Sequence, residues 1–250
     1  MASAQQEIIS AELRKRFQET RRVLVLTGAG VSAESGVPTF RGGGQTAVWK
    51  GMPFDKISSA GMLESNLREV WEWFNYRRDM MEKIAPNAAH HALARWQQRF
   101  DDFTLVTQNV DGLHQAAGSS DVLELHGNIL RARCLTCKRR YDLRDKQQSA
   151  SRTFTCEDCG NYLRPDVVLF GELLPPGVFE RATAKAATCE LCFVVGTSAL
   201  VYPAATLPEI ASAAGAYVVE VNPERTPLSD SCDEVINGKA GEVIPLFEKQ

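Results

Sequence analysis

The sequence predicts a doubly wound α/β fold carrying two inserted segments, on three observations. Short apolar runs alternate with helical patterns along most of the chain, which implies a mostly parallel sheet covered on both faces. The first run, Val23-Leu24-Val25-Leu26, empties into Thr27-Gly28-Ala29-Gly30, the kind of strand-to-loop junction that brings backbone N–H groups up to a phosphate. Residues 44–84 and 131–164 break the alternation and read as insertions.

In chain order, Ile8, Ile9, Leu13 and Phe17 recur at helical spacing within residues 3–19 and lead into a strand over 22–27. Helical patterns follow at 62–83 and 87–99, strands at 103–107 and 122–125, a further apolar run at 167–170, and a helix at 178–186. Strands at 191–195 and 216–221 close the series. Residues 1–43, 85–130 and 165–250 then form one discontinuous nucleotide-binding domain. Residues 44–84, with Trp49, Trp71 and Trp73, form a helical insert, and 131–164 a polar insert with four cysteines.

At 250 residues the chain can bury a substantial core, and 24% charged with 44% hydrophobic residues is ordinary for a globular protein. A formal net charge of −3 gives no reason to expect nucleic acid or an anionic membrane as the main partner. The apolar runs are strand-sized, and the polar start from Met1 to Ile8 lacks a signal-peptide core. Seven cysteines without such a signal point to a reducing compartment, so a cytoplasmic location is expected.

Cys134-Leu135-Thr136-Cys137 and Cys156-Glu157-Asp158-Cys159 are two C-x2-C pairs with 18 residues between them. Each turn points two sulfurs to one side, and together they suit one tetrahedral structural zinc; a redox pair is the competing reading. Four thiolates leave no open position, so catalysis belongs elsewhere. Cys189 and Cys192 run into a strand, where residues three apart face opposite sides, so they read as core cysteines, as does Cys232.

The glycine loop misses the G-x-G-x-x-G fingerprint, since Ala33 stands where the third glycine belongs and the next is Gly36. A tight turn is the plain alternative; Pro38-Thr39-Phe40-Arg41 adds a bend, an aromatic face and a cation beside it. Gln108, Asn109 and Asp111 follow one strand and His126-Gly127 another, at the carboxyl ends where a parallel sheet binds ligands. The amides and carboxylate suit a ribose or carboxamide, and His126 is the best general-base candidate of four histidines. His90, His91 and His114 read as structural, while Gly196-Thr197-Ser198 and Asn222-Pro223-Glu224 close further strands on the same rim.

Taken in order, Gly28-Ala29-Gly30-x-Ser32-x-x-Ser35-Gly36-x-Pro38-x-Phe40-Arg41, Gln108-Asn109-x-Asp111-x-Leu113-His114, His126-Gly127, the cysteine pairs, Gly196-Thr197-Ser198 and Asn222 closely resemble the sirtuin family, of bacterial type. The resemblance spans residues 20–245. It implies a Rossmann-like domain, a small zinc domain, NAD consumed as a co-substrate, and removal of acyl groups from protein lysines with release of nicotinamide and O-acyl-ADP-ribose. By the same resemblance the acyl oxygen attacks the nicotinamide ribose, Asn109 and Asp111 position ribose and nicotinamide, and His126 acts as base on a ribose hydroxyl. Gly28, Ala29, Gly30, Ser32, Phe40, Arg41, Gln108, Gly196, Thr197, Ser198, Asn222, Pro223, Glu224 and Ala240 would hold the dinucleotide.

Ala33 and residues 73–78 resemble the sirtuin branch that favours negatively charged acyl groups such as succinyl, where a Tyr-x-x-Arg pair meets the acyl carboxylate. Here Arg77 matches the arginine and Phe74 replaces the tyrosine, which removes one hydrogen bond worth about 1.5–3 kcal/mol at a charged acceptor. Acetyl or longer aliphatic groups are therefore expected beside succinyl. Protein ADP-ribosyl transfer and NAD-dependent dehydrogenation are the enzymatic rivals. A zinc-ribbon nucleic-acid binder is the third, because Arg131, Arg133, Lys138, Arg139, Arg140, Arg144 and Lys146 make the insert basic, although stacking aromatics are few.

Overall fold

The computed structural model describes residues 8–39, 48–144 and 154–248. Helix α1 (Ala11–Glu19) is capped by Ser10, whose Oγ accepts from Leu13 N at 3.1 Å, and leads into β1 (Arg22–Thr27). The single turn α2 (Gly30–Ala33) follows the glycine loop. A short hairpin, β2 (Val48–Trp49) and β3 (Met52–Pro53), opens a helical segment of α3 (Phe54–Ile57), α4 (Ala60–Ser65) and α5 (Leu67–Met81). Next come α6 (Ala88–Arg99), β4 (Asp102–Thr107), α7 (Leu113–Ala116) and β5 (Leu123–Glu124). The cysteine-bearing segment holds β6 (Gly127–Cys134), β7 (Arg140–Asp142) and β8 (Leu163–Val167). The chain ends through α8 (Val178–Ala186), β9 (Leu191–Val195), α9 (Thr206–Ala213), β10 (Tyr217–Asn222), β11 (Glu234–Asn237) and α10 (Ala240–Val243).

Six strands form a parallel sheet in the order β11-β10-β9-β1-β4-β5. Alternate residues of β1 enter opposite layers: Val23 and Val25 pack with Phe17, Trp96 and Phe193, whereas Leu24 and Leu26 pack with Val106, Cys192 and Leu207. Burial on both faces is what makes the strand a continuous apolar run. The chain order reverses on either side of β1, and Thr27 ends level with Thr107 of β4 and Val195 of β9. The polar loops therefore emerge together at one switch point.

The second sheet is antiparallel, in the order β7-β6-β8, and runs from Gly127 to Val167. The apolar run at 167–170 is thus not a strand of the parallel sheet. Val167 ends β8, Val168 N donates to His126 O at 2.9 Å and Phe170 N to Ser58 O at 2.9 Å, so the segment bridges two parts of the molecule. Helix α9 lies where no helical pattern was expected; its Pro208 is tolerated in a first turn that needs no donor there. Helix α5 joins the two inserted segments: Trp71 Nε1 donates to Leu163 O at 2.8 Å, its ring meets Phe154 at 4.8 Å, and buried Arg78 donates to Leu143 O at 2.7 Å.

Candidate active site

At the mouth of β1, Gly28 N donates to Val195 O at 3.1 Å and Gly30 N to Gly196 O at 2.7 Å. A Cβ on Gly28 would lie 2.7 Å from Thr197 Cβ, and one on Gly196, at φ +60°, only 2.4 Å from Val31 N. The glycines are therefore required for backbone-on-backbone approach between two strand ends. Two N–H groups expected to face a phosphate are satisfied by protein carbonyls instead. Phe40 and Arg41 lie outside the described residues.

Behind this loop a buried network joins residues far apart in sequence. His90 Nδ1 accepts from Asn87 N at 3.2 Å, which leaves the proton on Nε2 to donate to Ser32 Oγ at 3.3 Å. Ser32 Oγ also accepts from Asn109 Nδ2 at 3.1 Å and donates to Asp111 Oδ2 at 2.8 Å. Asn109 Nδ2 reaches Gly28 O at 3.0 Å, and Leu113 N donates to Asp111 Oδ1 at 2.9 Å. His114, its ring 4.9 Å from that of His90, meets Thr27 Oγ1 at 3.0 Å, and Thr27 Oγ1 donates to Thr107 Oγ1 at 2.8 Å.

Burial pulls His90 down to about 4 and His114 to about 3, each helped by a neighbouring histidine, so both rings are neutral near pH 7. Burial also raises the pKa of Asp111, against the opposing Leu113 N–H, the Ser32 hydroxyl and the Arg77 cation. Arg77 itself is lowered to about 10 by burial, opposed by Asp111, and its guanidinium stands 5.6 Å from the Trp73 ring centre. Phe74 is 1% exposed inside an apolar cluster with Ile57, Leu113 and Val167.

His126 stands across the cleft. Its Nδ1 lies 2.8 Å from Gln108 O, and a carbonyl only accepts, so the neutral ring carries its proton on Nδ1 and presents the Nε2 lone pair. Burial lowers its pKa, opposed by the Gln108 bond. The Gln108 side chain donates to Thr197 Oγ1 at 3.0 Å, and Asn222 Nδ2 to Thr197 O at 3.2 Å, tying three strand ends together. Ser198 is half-buried on the same rim, Pro223 and Glu224 are exposed after β10, and the Ala240 side chain is buried in the core layer.

Sequence reasoning missed the Thr27–Thr107–His114 linkage and the coupling of His90 to Ser32. The available signal was a threonine ending each of two apolar runs, at Val25-Leu26-Thr27 and Leu105-Val106-Thr107.

The four cysteines converge. Cys134 Sγ lies 3.5 Å from Cys159 Sγ, Cys137 Sγ 3.5 Å from Cys156 Sγ, and all four sulfurs fall within 4.8 Å of one another. A tetrahedron with Zn–S near 2.3 Å has sulfurs about 3.8 Å apart, so the set fits zinc. The two turns match: Cys134 N donates to Arg139 O and Cys156 N to Asn161 O, and left-handed Lys138 and Gly160 each follow the second cysteine. Cys189 and Cys192 instead both lie in one core layer; Cys189 precedes β9, so the opposite-face argument does not apply to it.

A parallel sheet with a histidine-bearing cleft at its switch point, beside a four-cysteine ribbon, defines a two-part α/β protein of the nucleotide-crevice class. Residues 28–203 match the Sir2 family, and the chain belongs to that family. It is 49% identical over 223 residues to an NAD-dependent protein deacylase of Thermus thermophilus, covering 87% of this chain and 85% of the relative. A Ralstonia nicotianae NAD-dependent protein deacylase is 45% identical, covering 95% of each chain. Among solved structures, a Sir2 homolog–NAD complex aligns with TM-score 0.89 at 38% identity, covering 95% of this chain and 92% of that one. Sir2 bound to acetylated peptide aligns at 0.83 with 31% identity, covering 95% and 96%. No helix among the described residues is long and apolar enough to cross a membrane.

Proposed function

We propose that the chain is an NAD-dependent protein-lysine deacylase that takes acyl-lysine proteins and NAD as substrates and releases nicotinamide and O-acyl-ADP-ribose. The observation that carries the reading is His126, whose Nδ1 is held by Gln108 O, which leaves the Nε2 lone pair available as a base. NAD supplies a ribose carbon from which nicotinamide is displaced by the acyl oxygen. His126 then takes a proton from a ribose hydroxyl, whose oxygen attacks the imidate carbon; water adds and the carbon–nitrogen bond breaks, so that the lysine amine leaves and the acyl group stays on ADP-ribose. Asn109 and Asp111, fixed by Ser32, hold the ribose and carboxamide in place, which lowers the entropy cost of the displacement. Gly28, Ala29, Gly30, Phe40, Arg41, Gln108, Gly196, Thr197, Ser198, Asn222, Pro223, Glu224 and Ala240 complete the dinucleotide site, and zinc on Cys134, Cys137, Cys156 and Cys159 holds the ribbon.

Nicotinamide release that requires an acyl-lysine peptide, with the label of adenine-labelled NAD recovered in a small acylated product, is the expected result. Label recovered on protein, or reduced nicotinamide absorbance, overturns it. For the acyl group, Arg77 offers a cation to a succinyl carboxylate while apolar Phe74 favours acetyl and longer aliphatic chains. Arg77→Ala should lower desuccinylation more than deacetylation, since it removes the carboxylate's partner from only one of them. An equal fall in both rates assigns Arg77 to Asp111 alone.

A further inference from the structure

A cavity of about 400 Å³ opens between β5, the small sheet and the segment leading to α8. Its charged lining is four guanidiniums, Arg131, Arg133, Arg140 and Arg181, against two carboxylates, Glu124 and Asp166. Asp166 is buried and shared by three cations, with Arg140 Nε at 3.0 Å, Arg131 Nε at 3.5 Å and Arg133 Nε at 3.7 Å. Its two oxygens offer about four lone-pair sites, against the five N–H donors that each of the three forks carries. Arg131 is also paired with Glu124, but buried Arg133 Nε has no hydrogen-bond partner among the described residues. A buried guanidinium N–H left unmatched is a standing demand for one more acceptor.

The cavity begins next to the catalytic residue. Gly127 and Val168 line it, and Val168 N is bonded to the carbonyl of His126. Arg131 and Arg133 lie five and seven positions from His126 along the chain. An extended substrate rises about 3.3 Å per residue, so with the reach of an arginine and a glutamate side chain counted, these cations fall roughly two to six residues from an acyl-lysine at His126. Leu173, 93% exposed on the rim, offers apolar contact to such a chain.

We propose that this cavity is a specificity subsite that receives an acidic side chain, Asp or Glu, placed a few residues from the acylated lysine of the protein substrate. The inference rests on the deacylase reading.

The test compares acyl-lysine peptides bearing Glu, Ala or Lys at each position from two to six on either side of the lysine, with nicotinamide release as readout. A Glu at one or two positions should raise kcat/KM about three- to tenfold over Ala, mostly through KM, and the advantage should shrink in high salt. Arg140→Gln, an exposed position whose change leaves Asp166 two partners, should remove most of that advantage while keeping turnover of the Ala peptide. Equal kcat/KM for Glu and Ala peptides at every position overturns the subsite but leaves the deacylase reading standing. No turnover of any acyl peptide overturns both. Inhibition of the Glu-peptide reaction by a short single-stranded oligonucleotide, abolished in Arg140→Gln, overturns the assignment in favour of nucleic acid.

Discussion

In the cleft, Ser32, His90 and Asp111 are buried polar groups held by hydrogen bonds above a sheet whose two faces are packed with Phe17, Trp96, Phe193, Leu24 and Val106. In the ribbon, Cys137 and Cys159 are exposed, and its buried apolar set is small: Ala132, Tyr141, Leu143, Phe154 and Leu163 around Trp71 of α5. The cleft draws its rigidity from a core that exists without any ligand. The ribbon has too little apolar surface to order itself, so its rigidity must come from the metal and from the helix it leans on. One region can lose function and keep its fold; the other cannot.

Removing zinc should therefore have the largest effect. Structural zinc contributes apparent free energies of about 10–16 kcal/mol in small domains, so chelation or Cys156→Ser should unfold the ribbon and abolish activity with it. Loss of zinc measured by atomic absorption, together with proteolytic nicking confined to residues 131–164, is the expected pair of results. A zinc-free protein with full activity would break the comparison.

His126→Ala should do the reverse. With His126 as the proposed general base, its loss should lower kcat by about 10²–10⁴-fold, while the thermal midpoint and zinc content stay unchanged. Because burial lowers its pKa, the acid limb of activity should lie below the ordinary histidine range, the base being neutral above it. A limb above pH 6.5 would contradict that placement.

The ribbon was legible because its chemistry is local: four cysteines, two spacings and a polar composition state it without any fold. The placement of His126, Asn109 and Asp111 just beyond strand ends was legible because a parallel sheet gathers its polar loops there, which needs only the topology. The contacts that couple them were not. Ser32 meets His90 across 58 positions, Thr27 meets His114 across 87, and neither pairing leaves a periodic trace. The shared Asp166 was hidden for the same reason, since three arginines scattered over β6 and β7 meet it only when the register pairs Arg133 with Arg140 and Arg164.

Acid should separate the regions next. Between pH 6.5 and about 4 the unfolded chain binds a proton at His90 that the folded chain refuses, and for His114 the window reaches about 3. Stability therefore rises with pH across that range and is lost as pH falls, by an amount on the order of a few kcal/mol. Thermal midpoints recorded from pH 7 to 4 should fall steeply, and His114→Asn should flatten the slope. A slope unchanged in that variant would place the acid sensitivity elsewhere.

Ser32→Ala is the smallest and most discriminating change. The hydroxyl donates to Asp111 and accepts from Asn109 and His90, so its loss leaves two buried groups and the half-buried Asn109 amide each short of one bond. Such an unpaired group costs about 1–3 kcal/mol, yet the core layers on either side of β1 are untouched and the fold should hold. Asn109 and Asp111 lose their common anchor, so the expected result is a KM for NAD raised roughly tenfold or more, with the KM for acyl peptide nearly constant. If the KM for peptide rises instead, the network positions the acyl-lysine rather than the dinucleotide. If only the melting temperature falls, Ser32 belongs to the core and the cleft is less independent of its bound substrate than the hydrogen bonds imply.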